Sequence, residues 1–198
     1  MPLEAEARCA GYRYIAGVDE AGRGPLAGPL VAAAVMLPAG SRIPGLRDSK
    51  QLSPRQRQAL YGVILRQALT YGVGIVTAAA IDRHGIAWAV QAAMQAAVRQ
   101  LAWPPDFLLI DGPVPLPLSV AQRPVVRGDA CCASIAAASV VAKVVRDRLM
   151  AAYACHYPAY GFERHKGYAT AEHYRRLRRF GACAIHRRSF RGVVAEGR

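Results

Sequence analysis

A chain of 198 residues with 53% hydrophobic and 20% charged residues fits one compact domain with an ordinary core and excludes a disordered chain. Its 26 lysines and arginines against 13 acidic residues give a net charge of +13, which predicts a polyanionic partner, either nucleic acid or an anionic membrane surface. The five cysteines lack CxxC spacing, which argues against a disulfide framework and a zinc ribbon. The sequence shows no signal peptide and no apolar run of about 18 residues that could span a membrane, so we expect a cytoplasmic protein.

Two strands and a helix are predicted first. Tyr14–Val18 and Leu30–Leu37 are apolar runs bounded by Gly and Pro, which is typical of two strands joined by a Gly-rich turn. Ser53 can cap a helix that begins with Pro, and Gln56 completes a capping box. We expect this helix to run to about Tyr71.

The rest of the chain continues the alternation of strands and helices. The predicted elements are a strand over residues 71–79, a helix over 87–102, strands over 106–114 and 123–128, a long helix over 133–157 and a basic helix over 170–180. Their order predicts an α/β domain with a C-terminal helical flap. Residues 123–198 hold 15 of the 26 lysines and arginines but 5 of the 13 acidic residues, so the nucleic-acid footprint is expected there.

Three acidic sites share one feature: each lies where a predicted strand ends beside glycine. They are Asp19-Glu20, Asp111-Gly112 and Gly128-Asp129. Each alone is typical of a turn, but loops beyond strand ends are also where α/β domains place their sites. Clustered carboxylates need cations, either arginines in a structural ion-pair cluster or divalent Mg²⁺ or Mn²⁺ that could also cleave a phosphodiester.

Neighbouring residues of a strand point to opposite faces, so the first acidic pair needs a break in the strand. Asp19 and Glu20 can share a site if the strand ends between them or just after them. The segment Gly22-Arg23-Gly24-Pro25 supplies such a break.

Several motifs together resemble those of ribonuclease HII, the bacterial type 2 ribonuclease H. From about Gly17 to Phe190, in the order of that family, they are AGVDEAGRGPLAGPLV, DSKQLS, IDG, RGDA, AASVVAKVVRDR, HKGYAT and HRRSF. The resemblance implies a ribonuclease H-like fold in a single domain over 1–198, with a mixed five-stranded sheet flanked by helices. It also implies a basic C-terminal helical part, about 158–198, that closes over the substrate.

The implied activity is metal-dependent cleavage of the RNA strand of RNA–DNA hybrids. It includes nicking of duplex DNA on the 5′ side of an embedded ribonucleotide, with 3′-hydroxyl and 5′-phosphate ends, for ribonucleotide removal and primer RNA degradation. The implied catalytic and metal-binding acids are Asp19, Glu20 and Asp111, with Asp129 as the fourth. Asp147 competes for that fourth place, although an ion pair with neighbouring arginines also explains it.

The resemblance also implies how ribonucleotides are recognised. Main-chain groups of Gly22, Arg23 and Gly24 would contact the 2′-hydroxyl, because glycine leaves the backbone open to approach. Tyr168 would stack on the deoxyribose that follows the ribonucleotide. On residue type alone, a tight turn and a core tyrosine explain the same residues.

Phosphate contacts are expected from two further places. Lys50, with Ser49 beside it, is one, although a solvated surface lysine explains it equally well. Lys143 and Arg146 lie three residues apart on one face of the long predicted helix, and the resemblance favours phosphate contact.

The remaining expectations concern partners and rivals. The partners are an RNA–DNA hybrid and ribonucleotide-containing duplex DNA, with no membrane, no obligate protein partner and a monomeric state. His165 and His186 are interpreted as packed or hydrogen-bonded rather than catalytic. Rival hypotheses are a non-catalytic nucleic-acid-binding protein, for which the positive charge suffices, and another metal nuclease of the same fold, such as a junction resolvase.

Overall fold

A computed structural model describes residues 2–46, 49 and 52–193. Its strands are β1 (Ile15–Ala21), β2 (Leu30–Met36), β3 (Thr70–Val76), β4 (Phe107–Asp111) and β5 (Ala121–Val125). They form one sheet in the order β3-β2-β1-β4-β5. Strands β1, β2 and β3 pair antiparallel, whereas β1, β4 and β5 pair parallel. The predicted mixed five-stranded sheet is therefore confirmed.

Helices cover both faces of this sheet. They are α1 (Pro2–Cys9), α2 (Pro54–Gln67), α3 (Ala78–His84), α4 (Ile86–Arg99), α5 (Ala133–His156), α6 (Phe162–His165) and α7 (Ala171–Phe180). A 3-10 turn, Gly128–Ala130, precedes α5. Of the helices in the described part of the chain, none combines the length and apolar character needed to span a bilayer.

Strand β2 is buried on both faces, and its side chains alternate between two core layers. Residues 30, 32, 34 and 36 pack with α4, and residues 31, 33 and 35 pack with α2 and α5. Such burial stabilises the fold by about 1.5–3 kcal/mol for each large apolar side chain. The sheet is thus a rigid platform between two helical layers.

Close packing of α5 on β1 positions the carboxylate end of that strand. A Cβ atom on Gly17 would lie 2.2 Å from the carbonyl carbon of Ser134, so the absence of a side chain lets the helix approach. Along β1, Ile15, Gly17 and Asp19 share the face that α5 covers. Helix α5 consequently brings Ser139 to the Asp19 carboxyl.

The predicted helix starts are confirmed to within one residue, but two ends are wrong: the helix predicted over 87–102 is α4, which ends at Arg99, and α2 also ends early. Ser53 and Gln56 form the capping box of α2, and Thr170 caps α7. Helix α2 ends at Gln67 rather than near Tyr71, because Ala68 adopts an extended conformation. The sequence interpretation also missed α1, α3 and α6, each of which has at most eight residues and so shows little helical periodicity.

The expectation that Asp129 ends a strand is wrong. Strand β5 ends at Val125, and Asp129 lies in the 3-10 turn that follows. Arg127 turns the chain with a left-handed φ of 56°, and the turn then leads into α5. The acid still lies at the carboxyl edge of the sheet, although the turn rather than the strand holds it there.

Candidate active site

Asp19 and Asp111 lie side by side at the carboxyl ends of two parallel strands. Strands β1 and β4 pair in register up to Val18 and Ile110, and the two acids are the next residues of each strand. The amide N–H of Gly128 donates to Asp111 Oδ1 at 2.8 Å, which brings the turn carrying Asp129 to the same edge. The predicted convergence of separate acidic segments thus matches the geometry.

Burial and mutual repulsion perturb the first two acids. The pKa of Asp19 is raised well above its usual value, first by burial and then by the charges of Glu20 and Asp111. The pKa of Glu20 is also raised by burial, although Arg23 opposes this through an ion pair of 3.3 Å. Strand β1 ends at Ala21, just after both acids, as the shared site requires.

This donor set suits a hard divalent cation. Asp19, Glu20 and Asp111 offer carboxylate oxygens, which Mg²⁺ and Mn²⁺ prefer, and a cation would relieve their repulsion. No three His, Cys, Asp or Glu side chains of the described residues are already arranged tightly enough to hold an ion. Asp111 accepts a hydrogen bond from the Gly128 amide through Oδ1, which leaves Oδ2 as a further donor atom for a cation.

Asp147 lies on α5, eight residues after the Ser139 that contacts Asp19, and forms ion pairs there. Its carboxylate pairs with Lys143 Nζ at 2.7 Å and with Arg57 at 3.9 Å. The cations differ from the flanking arginines expected from the sequence, but the ion-pair interpretation fits. Asp129 is 6% exposed and lies beside the residue that binds Asp111, so it is the better placed of the two candidates.

Two fully buried arginines support the loop after β1. Arg187 donates through Nη2, Nη1 and Nε to the carbonyls of Gly22 (2.6 Å), Arg23 (2.9 Å) and Gly28 (3.0 Å). Burial and the nearby Arg146 lower the pKa of Arg187 to about 9. The sequence interpretation missed this role, although HRRSF was among the quoted motifs.

Arg146 supports the same loop and is not a surface phosphate ligand, so that expectation is corrected. Its side chain is fully buried and donates to the carbonyls of Pro29, Ala27 and Lys166 at 3.0–3.1 Å. A Cβ on Gly22, whose φ is +100°, would lie 2.2 Å from Arg146 Nε. The glycine is therefore required by both conformation and space.

Ser49 is likewise buried, which corrects its expected phosphate contact. Its hydroxyl lies 2.8 Å from that of Ser139, which in turn hydrogen-bonds the Asp19 carboxyl. Ser49 therefore acts behind the acids rather than at the surface. Lys50 lies outside the described residues.

Tyr168 lies beside this loop with 40% of its surface exposed. Lys143 Nζ and Arg146 Cζ lie 5.5 and 5.6 Å from the centre of its ring. The carbonyl of the preceding Gly167 accepts from the Leu26 amide at 2.8 Å, which joins the two segments. The ring is thus available for packing next to the Gly22–Gly24 loop.

Comparison with known proteins decides the family. The model of the family described as ribonuclease HII matches residues 16–193. The chain belongs to the ribonuclease HII family. Ribonuclease HII of Geobacter sulfurreducens is 54% identical over 191 residues, which cover 96% of this chain and 88% of that relative. This membership makes the chain an endoribonuclease that hydrolyses RNA in RNA–DNA hybrids.

Solved structures agree with this fold. The ribonuclease H2 from Pyrococcus horikoshii OT3 aligns with a TM-score of 0.78 at 28% identity, covering 91% of this chain and 95% of that one. A ribonuclease HIII, Bst-RNase HIII, solved in complex with Mn²⁺, aligns with a TM-score of 0.69 at 19% identity, covering 98% and 72%. The predicted ribonuclease H-like architecture of a ribonuclease HII is confirmed.

A directed chain of histidines holds the main chain at Tyr168 in this ribonuclease HII. The Cys183 amide donates to His186 Nδ1 at 2.9 Å, so neutral His186 carries its proton on Nε2. That proton points to His173 Nε2 at 3.0 Å, and His173 Nδ1 then donates to the Tyr168 carbonyl at 2.9 Å. His165 is also buried and hydrogen-bonded, as interpreted for both motif histidines.

This histidine chain predicts acid sensitivity of the folded ribonuclease HII. Burial and His173 lower the pKa of His186 to about 4 from its ordinary 6.5. Because the unfolded chain takes up the proton first, the free energy of unfolding should fall by about 1–2 kcal/mol as the pH drops from 6.5 towards 4. Urea unfolding should show a smaller fall for His186→Gln. The control variant His84→Gln, at an exposed position, should show the same pH dependence of the free energy of unfolding as the wild type. An equal pH dependence in all three proteins would contradict the role assigned to His186.

Proposed function

We propose that the chain is a divalent-metal-dependent endonuclease that also nicks duplex DNA on the 5′ side of a single ribonucleotide. The observation that supports this most is the crowding of Asp19, Glu20 and Asp111 beside an open glycine loop and an exposed tyrosine. Cleavage would leave 3′-hydroxyl and 5′-phosphate ends. In the cell it would serve ribonucleotide removal and primer RNA degradation.

Asp19, Glu20, Asp111 and Asp129 would hold Mg²⁺ or Mn²⁺. When bound, such ions activate water and stabilise the leaving oxygen of a phosphodiester. The fit rests on the donor chemistry, because three mutually repelling acids at a buried strand end are stabilised by a divalent charge. The Mn²⁺ bound by the ribonuclease HIII neighbour is compatible with this proposal.

Ribonucleotide recognition is assigned to amide N–H groups of the Gly22–Gly24 loop. The carbonyls of Gly22 and Arg23 already accept from Arg187. Within the described ranges, the amides of Arg23 and Gly24 have no internal acceptor, and both residues are exposed. They can therefore donate to a 2′-hydroxyl oxygen, which DNA lacks.

Tyr168 and the basic C-terminal part would complete the substrate site. The exposed ring of Tyr168 would pack against the deoxyribose after the ribonucleotide, where an added hydroxyl would disturb the contact. Lys143, half-buried beside it, would contact phosphate. Residues from about 158 to 198, including α6 and α7, would close over the duplex. We propose that the chain acts as a cytoplasmic monomer without an obligate protein partner.

Cleavage mapping of three duplexes tests the proposal. With Mg²⁺ or Mn²⁺, the purified chain should nick a duplex holding one ribonucleotide at the 5′ side of that nucleotide. It should leave an all-DNA duplex intact and cut an RNA–DNA hybrid as the positive control. An intact single-ribonucleotide duplex alongside a cleaved hybrid would reject junction nicking, whereas cutting in the presence of chelator would reject the metal requirement.

A further inference from the structure

A basic groove leads away from Tyr168 outside the carboxylate site. It has a volume of about 450 Å³ and lies between α2, α5 and α6. The charged side chains that line it are Arg57, Lys143, Asp147, Arg148, Arg164 and Lys166. Five of these six carry positive charge, so the groove favours an anionic ligand.

Part of this charge has no carboxylate partner among the described residues. Asp147 pairs with Lys143, and Arg164 pairs with glutamates at the starts of α6 and α7. Arg148 and Lys166, by contrast, have no carboxylate at ion-pair distance among residues 2–46, 49 and 52–193. Unpaired cations facing one groove are stabilised by phosphate oxygens.

One contact holds the side chain of Arg148, and another fixes the main chain at Lys166. The guanidinium of Arg148 lies 4.5 Å from the centre of the Tyr61 ring, a distance typical of cation–π contact. Lys166 adopts a left-handed φ of 51°, and its carbonyl accepts from the buried Arg146 at 3.1 Å. The Arg148 guanidinium and the main chain that carries Lys166 are therefore positioned before an anion binds.

The length of the groove matches a short stretch of nucleic acid. Along α5, Ser139 contacts Asp19, Lys143 follows one turn later, and the groove continues to Ala151. At 1.5 Å per residue, Lys143 to Ala151 spans about 12 Å. A strand advances ~3.4 Å per nucleotide along a duplex axis, so the groove accommodates about three nucleotides.

We propose that this basic groove binds the backbone phosphates of the ribonucleotide-containing strand on the 3′ side of the ribonucleotide. The inference rests on the proposed function, in which Tyr168 packs against the sugar that follows the ribonucleotide. From the acids, the strand passes the Gly22–Gly24 loop and Tyr168 and then enters the groove. Arg148 and Lys166 are its phosphate ligands.

A double variant of the groove is tested against a matched pair elsewhere. Arg148→Gln with Lys166→Asn removes two positive charges from the groove, and Asn tolerates the left-handed conformation of position 166. Arg83→Gln with Arg99→Gln removes two exposed charges from α3 and α4. Affinity is measured without metal by fluorescence anisotropy over a series of NaCl concentrations, and urea unfolding verifies that both variants are folded.

The expected signature is specific to one arm of the duplex. On the full duplex, the groove variant should bind about 10-fold more weakly at low salt, and its slope of log K against log salt should fall by about 2. The control pair should keep the wild-type salt slope and should retain more than half of the wild-type affinity. A duplex with its 3′ arm shortened to one nucleotide should bind both wild type and groove variant with equal affinity, whereas shortening the 5′ arm should weaken both alike.

The inference is overturned if the groove variant keeps the wild-type salt slope, or if its loss persists on the duplex with the short 3′ arm. Two single variants are compared as well. Arg148→Lys, which keeps the charge, should have a salt slope closer to that of the wild type than Arg148→Gln has. Wild-type cleavage of the same full duplex is measured in parallel with Mg²⁺. Absence of nicking there rejects the proposed function, whereas the salt slopes report on the groove alone.

Discussion

Asp19→Asn should abolish cleavage of a single-ribonucleotide duplex while changing its affinity for that duplex less than about threefold. The amide keeps the size of the side chain and can still accept from Ser139, but it removes the charge that the site offers to a divalent cation. Loss of several kcal/mol of metal-dependent stabilisation of the transition state lowers the rate by at least about 10³-fold. Single-turnover cleavage and metal-free anisotropy measure the two quantities separately.

Two further substitutions show whether the loss belongs to the assigned acids. Asp129→Asn should lower the rate by at least about 100-fold, whereas Asp147→Asn should lower it less than tenfold, because Asp147 is engaged by Lys143. The opposite ranking would transfer the fourth acidic role to Asp147. An Asp19→Asn protein that cleaves at the wild-type rate would remove the carboxylate site from the mechanism.

The Gly22→Ala variant should have a lower free energy of unfolding and a lower selectivity for ribonucleotides. Its new Cβ would lie 2.2 Å from Arg146 Nε, at a φ of +100° that only glycine adopts readily. We expect a loss of about 2–4 kcal/mol in the free energy of unfolding. Displacement of the loop by about 1 Å should lower the rate on a single-ribonucleotide duplex about 100-fold.

Gly24→Ala is the matched control for this loop. A Cβ at position 24 would meet no atom within 4 Å from the described residues beyond its chain neighbours, so the free energy of unfolding should stay within about 0.5 kcal/mol of the wild type. If the amide of Gly24 meets the 2′-hydroxyl, the added methyl group should still weaken cleavage of the single-ribonucleotide duplex. Equal unfolding of both variants, measured in urea, would contradict the crowding assigned to Gly22.

The acidic site could be predicted because its signal is local. Apolar runs that end in Asp19 and Asp111 indicate two strands and their carboxyl ends. When the two strands pair in parallel, these ends lie at the same edge of the sheet. Asp129 was placed correctly near the edge but on the wrong element, since the pattern of β5 does not show where hydrogen bonding stops. The resemblance to the family, and the division of roles that it implies, depends on these segments occurring together.

The supporting residues could not be predicted because burial of a charged side chain leaves no mark in the sequence. Arg146 and Arg187 look like surface cations, yet carbonyls of the loop surround both guanidinium groups. Ser49 looked like a phosphate contact, but tertiary packing turns its hydroxyl towards Ser139. Each error arises from long-range contact, which a local pattern does not contain.

The arginine support of the glycine loop has a consequence for synthesis of the protein. Residues 22–28 leave the ribosome early, but the side chain that fixes their carbonyls belongs to Arg187, about 160 positions later. A nascent chain can assemble most of its sheet before that arginine emerges. The native conformation of residues 22–28 is therefore completed only after Arg187 has been synthesised and has folded back onto the sheet.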